Sequence, residues 1–485
     1  MTDSIKHYQN YIDGQWQPCQ SGRTFDNINP ADTAEIVGRF QASSAADAEA
    51  AVAAAAKAFP AWRGTPISKR ARILTDAADY LEAHADEFAR DLTREEGKAL
   101  GQARDEILRS AQTFRFYAVE GQTFTGETYP QDDPLMHVYS HREPLGVVTV
   151  ISPWNFPASI AARKIAPALI TGNTVVFKPS SDAPLTGLHL AEALAHAGAP
   201  AGAVNCLTGR AGDVGPVITT SRAVRAISFT GSTQAGAQIH RSVHLTTRLQ
   251  MELGGKNPLL VMEDADLDAA VDLAIKGGFS LTGQACTGTS RIIIVPQVKE
   301  AYTRKLLERI KRLKIGPGLE AGMDLGPLAT ARQLDTVLQY IAIGKQEATH
   351  LIGGEHLQGG RYGTGYYVAP AVFTDVKPGM RIAQEEIFGP VLAIIEAADF
   401  QEALAIANDS EYGLSAAIAT RNPRTMHLFA QDIESGTVKI NRTTTGNLVN
   451  APFGGLKNSS TSTFRESGRA GLDFFTQIKT IYRGV

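Results

Sequence analysis

Gly146–Ile151 reads GVVTVI, and Ser152-Pro153-Trp154-Asn155 follows it. The apolar, β-branched run predicts a buried strand, and the Pro and Asn end it. The alternation then repeats. Ala161–Leu169 reads as a helix, and Thr174–Phe177 (TVVF) as a second strand ending in Lys178-Pro179-Ser180. Leu185–Ala197 is a helix, Val204–Leu207 a strand, and a helix near Val214–Thr219 follows a Gly-rich loop. Ala226–Phe229 (AISF) is a further strand, ending in Thr230-Gly231-Ser232. Apolar strands alternating with helices predict a parallel sheet covered on both faces. Ligands of such sheets sit beyond the carboxyl ends of the strands. Three polar clusters fall at those ends: Trp154–Asn155, Lys178–Ser181 and Gly231–Ser232.

Upstream of this block, Asp13–Gln17 predicts a tight turn between short strands. Helical patterns cover Ala45–Phe59, Ile67–Ala83, Ala85–Glu96 and Leu100–Val119, with charge on one face and Leu, Ala, Ile or Phe on the other. The segment from Thr123 to His141 is rich in turn residues and Thr/Tyr, which predicts an extended arm or hairpin. Downstream, Leu259–Val261 and Arg291–Val295 read as strands and Leu267–Phe279 and Glu300–Leu313 as helices. A Gly-rich surface loop spans Gly353–Gly365. The chain shows two αβ halves, with Cys286 early in the second.

With 485 residues, the chain is long enough for two or three domains at roughly 100–200 residues each. Its 43% hydrophobic and 20% charged residues fit a globular protein with a sizeable core. The net charge of −3 gives no reason to expect nucleic acid or an anionic membrane as partner. Cys19, Cys206 and Cys286 are too few and too scattered for a disulfide framework, and they form no CxxC pair for a metal. A reducing compartment, the cytoplasm, is expected. The N-terminus lacks the apolar core of a signal peptide, and no run reaches the ~18 apolar residues of a membrane span.

Several residues invite chemistry. Cys286 lies in SLTGQACTGT, Ser280–Thr289, among small residues that let another molecule approach the backbone. A thiol there can attack a carbonyl carbon, although a free cysteine is as often an inert core residue. Glu252, in QMELGGKNP (Gln250–Pro258), sits in a semi-apolar context that raises a carboxyl pKa and makes a base; a structural pair with Lys256 is the bland alternative. Asn155 can donate its amide to a developing oxyanion, or simply form a turn. Lys178 can meet a nucleotide ribose or phosphate, or snorkel into water. Gly231–Gly236 joins a strand to a helix and can free backbone N–H groups for a phosphate, but it is not the GxGxxG fingerprint.

Taken together, ISPWNFP (Ile151–Pro157), VFKPS (Val176–Ser180), FTGS (Phe229–Ser232), ELGGKNP (Glu252–Pro258), GQAC (Gly283–Cys286), EEIFGP (Glu385–Pro390) and APFGG (Ala451–Gly455) resemble, in order, the motifs of the aldehyde dehydrogenase superfamily. The resemblance runs from about Tyr11 to the C-terminus. It implies an α/β fold: a Rossmann-like dinucleotide-binding domain, an α/β catalytic domain and a small β oligomerisation arm that builds a homodimer or homotetramer. The domains would be residues 1–122 with 143–254, residues 255–455, and residues 123–142 with 456–485. Cys286 matches the nucleophile, Asn155 with the Cys286 backbone N–H the oxyanion donors, and Glu252 the base that activates water. Lys178 matches the adenosine-ribose ligand. Ile151, Trp154, Gly231, Ser232 and Leu253 match positions around the dinucleotide, and Glu386 and Phe388 residues that seat the nicotinamide ribose and ring. Many NAD-preferring members carry Glu three positions after the lysine. Here Ser181 stands there, which removes a repulsion against a 2′-phosphate, so NADP is expected to be accepted alongside NAD.

Arg163, eight residues after Asn155, matches an arginine that grips the distal carboxylate in succinate-semialdehyde dehydrogenases; a surface arginine is the alternative. A second arginine of that subgroup, six residues before the cysteine, is Ser280 here. The tail APFGGLKNSSTSTFRES (Ala451–Ser467) is closer to 2-oxoglutarate (α-ketoglutaric) semialdehyde dehydrogenases. The expected substrate is therefore an acidic semialdehyde, 2-oxoglutarate semialdehyde first and succinate or glutarate semialdehyde next. A cysteine hydrolase would also use Cys286, but none of the 11 histidines stands in a matching motif. A silent binding or structural member of the family would be expected to have lost Cys286 or Glu252, and both are present.

Overall fold

A computed structural model describes residues 5–461 and 463–484. Residues 1–4 of the N-terminal segment, Ser462 of the tail motif and Val485 lie outside the described residues. Two seven-stranded sheets dominate. The first runs in the order Arg248–Glu252, Val224–Thr230, Val147–Ile151, Thr174–Lys178, Val204–Cys206, Asn10–Ile12, Gln15–Gln17. Its first five strands are parallel, and the N-terminal hairpin adds antiparallel at the far edge. In that hairpin Asp13 (φ 50°) and Gly14 (φ 78°) both take the positive φ that a two-residue turn between twisted strands requires. The chain leaves Val147–Ile151 first to one side and later to the other. This strand and Val224–Thr230 therefore flank the switch point where a crevice opens.

The second sheet runs Thr349–Ile352, Ala371–Thr374, Val391–Glu396, Thr289–Ile294, Asn257–Val261, Ser415–Ala419, Thr437–Ile440. Only its first strand is antiparallel. Thr174–Lys178 and Asn257–Val261 are buried at every position, which explains why they read as unbroken runs rather than as alternating ones. A third, antiparallel sheet pairs Thr476–Gly484 with Met136–Pro144 and Thr128–Tyr129. It leaves Tyr129, Ile478 and Tyr482 exposed.

Two helices run four residues past the sequence reading at their C-terminal ends. The first spans Ala45–Arg63 rather than stopping at Phe59: Pro60 lies in its last turns, and the buried Trp62 anchors them. The fourth spans Leu100–Thr123 rather than Leu100–Val119. A glycine near a helix end usually marks its stop. Here Gly121 is there for packing, since a Cβ would stand 2.3 Å from Ile170 Cγ1. That contact docks the helix on Ser159–Ile170, which carries Arg163.

Candidate active site

Cys286 follows a tight turn in which Leu281 (φ 52°) and Thr282 (φ 55°) are left-handed. Such a conformation is costly for residues with a Cβ and holds only where surrounding contacts enforce it. Thr282 Oγ1 donates to Gly326 O (2.9 Å), and Gln284 Oε1 accepts from Ala329 N (2.9 Å). The cysteine lines a cavity of about 260 Å³ with Phe156, Ile160, Arg163, Leu281 and Phe453. Ser280, where a second arginine was considered, also faces this space, as does Arg109, which no local signal in its helix marked out. Burial pushes the Cys286 thiol up to about 12, with Arg163 and a backbone N–H from Thr287 acting in the opposite sense.

Asn155 is 2% exposed, and its Nδ2 donates to Gln284 O (2.9 Å), two residues from the thiol. Glu252 is equally buried, and neither of its carboxylate oxygens has a hydrogen-bond partner among the described residues. Desolvation, and after it the nearby Glu466, raises its pKa well above the usual carboxylate range; Lys164, Arg465 and Arg163 pull the other way. Lys256 is not its partner. That ammonium turns away and donates to Glu385 O (2.6 Å). Gly454 leaves the room Glu252 needs, since a Cβ there would meet Glu252 Oε1 at 2.8 Å.

Arg163 is not a surface arginine. Its side chain is 16% exposed, Nε donates to Ser159 O (3.3 Å), and Nη1 lies 3.8 Å from Glu466 Oε2. Glu466 also accepts from the buried Lys164, whose Nζ donates in addition to Ser228 Oγ (3.1 Å). The sequence reading missed Lys164, although its neighbours three and four positions away, Ile160, Ala161, Pro167 and Ala168, place it on an apolar helix face. Such a lysine needs a buried partner.

The remaining predicted residues gather at the switch-point crevice. Lys178 ends the strand beside Ile151, and its Nζ donates to Pro179 O (2.9 Å). It is 4% exposed, and burial lowers its pKa to about 8, so it does not snorkel. Ser181 follows, half-buried. Ser232 caps the helix Thr233–Ser242 by accepting from Ala235 N (3.3 Å). Gly231 packs on Phe229, and Gly236 on Leu253, with distances from a built Cβ of 2.5 Å in both cases. From the segment that leads into the strand Val391–Glu396, Glu386 Oε1 accepts from Gly255 N (3.0 Å), and burial raises its pKa to about 7. Phe388 (φ 56°) stands edge-on to Trp154, ring centroids 5.4 Å apart. Gln333 holds this strained turn through the carbonyls of Ile387 (3.0 Å) and Phe388 (2.9 Å). Two hydroxyls, Ser152 Oγ and Thr230 Oγ1, are buried with no hydrogen-bond partner among the described residues, at the carboxyl ends of the two strands flanking the crevice. Orphan hydroxyls beside a capped helix N-terminus and a buried lysine fit a dinucleotide laid across these strand ends.

Residues 16–481 match the aldehyde dehydrogenase family. The chain is 46% identical, over 98% of both sequences, to the alpha-ketoglutaric semialdehyde dehydrogenase of Bacillus subtilis (strain 168). Among solved structures, an NADP-dependent enzyme from E. coli superposes with a TM-score of 0.95 at 35% identity, covering 99% of this chain and 98% of that one. Betaine aldehyde dehydrogenase from Staphylococcus aureus in complex with NAD+ superposes with a TM-score of 0.95 at 34% identity, covering 98% and 94%. Matching the family from residue 16 to 481 and a relative over nearly its whole length, this chain belongs to the aldehyde dehydrogenase family.

Proposed function

We propose that the chain oxidises a small acidic semialdehyde to its carboxylate with NADP or NAD, with 2-oxoglutarate semialdehyde the preferred substrate and succinate or glutarate semialdehyde next. The carrying observation is Arg163, a guanidinium in the wall of the Cys286 cavity. A space of about 260 Å³ lies below the roughly 300–1,000 Å³ of drug-sized sites and suits a chain of about five carbons. The name of the Bacillus subtilis relative supports the same choice.

The residues divide the work as follows. Cys286, as the thiolate, adds to the aldehyde carbon and forms a C–S bond. Asn155 Nδ2 and the Cys286 N–H hold the resulting oxyanion. The chemistry a nicotinamide dinucleotide supplies when bound is acceptance of the hydride that leaves this carbon. Lys178, Ser181, Gly231, Ser232 and Glu386, with Ile151, Trp154, Leu253 and Phe388 around them, hold and orient it. Glu252 then takes a proton from water as the oxygen attacks the thioester, and the C–S bond breaks to release the acid and the thiol. In this reading residues 1–122 and 143–254 serve the dinucleotide, 255–455 carry the thiol, and 123–142 with 456–485 assemble a cytoplasmic homodimer or homotetramer. The exposed Tyr129, Ile478 and Tyr482 support the assembly role.

A panel of semialdehydes and neutral aldehydes, each assayed with both cofactors, tests the proposal. Arg163→Ala should raise KM for acidic semialdehydes roughly 10–100-fold and leave neutral aldehydes of equal length within about threefold. Equal effects on both would remove Arg163 as the carboxylate anchor. Ser181→Glu should cut kcat/KM with NADP roughly 10–100-fold while NAD changes little, because a carboxylate at the ribose repels a 2′-phosphate. A wild-type enzyme with a large NAD preference would count against that assignment.

A further inference from the structure

Asn155 lies in the irregular stretch between the strand Val147–Ile151 and the helix Ser159–Ile170, where no sheet ladder fixes its backbone. A buried charged cluster fixes it instead. Lys98 is 2% exposed as a residue and its side chain not at all. Its Nζ donates to the carbonyl of Asn155 (2.6 Å) and to Glu106 Oε2 (2.6 Å), and sits 4.7 Å over the Phe156 ring. The other oxygen of Glu106 accepts the backbone N–H groups of Ala158 (3.0 Å) and Ser159 (3.1 Å). One ion pair therefore holds the Asn155 peptide from one side and the start of the next helix from the other. The remaining acid nearby, Glu96, lies 3.8 Å from Lys98 Nζ; burial raises its pKa to about 8, with Lys98 pulling it down and Glu106 pushing it up. Charged groups are seldom sunk this deep for stability alone, since an apolar set of equal volume often does as well.

We propose that Lys98 is a positioning residue: its ammonium clamps the Asn155 carbonyl so that the Asn155 side-chain amide points at the oxygen of the adduct formed on Cys286. The inference rests on the proposed role of Asn155. A donor displaced by about an ångström loses much of its effect on rate while binding of the ground state hardly changes.

The test is a double-mutant cycle on the full-length enzyme, using the best aldehyde of the panel at saturating cofactor. Lys98→Met should lower kcat roughly 10–100-fold with KM within about threefold, and in an Asn155→Ala background its effect should shrink below about threefold. Glu106→Gln keeps an acceptor for the two backbone N–H groups but removes the counterion. It should show the same pattern at roughly 3–10-fold, and it decides the matter if Lys98→Met does not fold. Equal factors in both backgrounds make the cluster merely structural and overturn the proposal while leaving the role of Asn155 intact. If Asn155→Ala alone leaves kcat unchanged, the oxyanion assignment and this proposal fall together.

Discussion

Cys286→Ser should lower kcat for aldehyde oxidation by roughly 10³-fold or more, the scale on which loss of a nucleophile registers in enzymes of covalent mechanism. The structure gives the reason. A serine hydroxyl is a far weaker acid than a thiol, and the cavity already lifts the thiol up to about 12 by burial. Glu386 and Glu252 oppose ionisation, and among the named influences only Arg163 and the Thr287 N–H favour it. No group there could ionise a serine. The fold should be indifferent to the exchange, since Cys286 accepts a hydrogen bond at its carbonyl from Asn257 Nδ2 (2.8 Å) that the variant keeps. Unchanged melting and unchanged dinucleotide binding, measured beside the lost turnover, would separate chemistry from folding. The raised thiol pKa also sets a pH dependence. Alkylation of Cys286 by iodoacetamide in the free enzyme should accelerate about tenfold per pH unit from pH 7 to 9, because the thiolate is the reactive form and its fraction grows by that factor well below the pKa.

Glu252→Gln should separate the two halves of the reaction. Acyl transfer to Cys286 needs no water, so the first turnover should still yield about one equivalent of reduced cofactor per site. Hydrolysis should then slow by roughly 10²–10⁴-fold, the usual contribution of a positioned general base. A stopped-flow trace would show a full burst and a nearly flat steady state; a burst abolished along with turnover would falsify the assignment of Glu252 to the second half. The wild-type pH profile carries the same information. As the proposed general base Glu252 would act only when deprotonated, and burial with Glu466 beside it raises its pKa. Turnover should therefore be present above that raised pKa. It should fall as pH drops through it, at a higher pH than a solvent-exposed glutamate would dictate. The Gln variant should lack that limb.

How much of this was legible beforehand depends on the range of the interactions. The parallel sheet could be read because TVVF and AISF are buried on both faces and carry no polar alternation. Cys286, Glu252 and Asn155 stood out because each interrupts a local pattern: a thiol among small residues, an acid among apolar ones, an amide at a strand end. Lys98, Glu106, Lys164 and Glu466 did not, because a buried ion pair is visible only once both ends are folded. Lys164 and Glu466 are 302 positions apart. The Lys256–Glu252 alternative failed for the related reason that adjacency in sequence says nothing about direction along a bend: Gly254 and Gly255 turn the chain, and Lys256 faces Glu385. The extra length of Leu100–Thr123 was hidden because Gly121 serves a neighbouring helix and not a turn.

The 302-residue gap between Lys164 and Glu466 also has a temporal meaning. At about 5–20 residues per second, a ribosome needs roughly 15–60 s to pass from one to the other. Until Glu466 emerges the lysine has no acid partner, and Glu252, made 88 residues after it, lacks the Lys164–Glu466 pair among its electrostatic surroundings. Cys286, made 180 residues before Glu466, therefore emerges before the Lys164–Glu466 pair beside Glu252 can form.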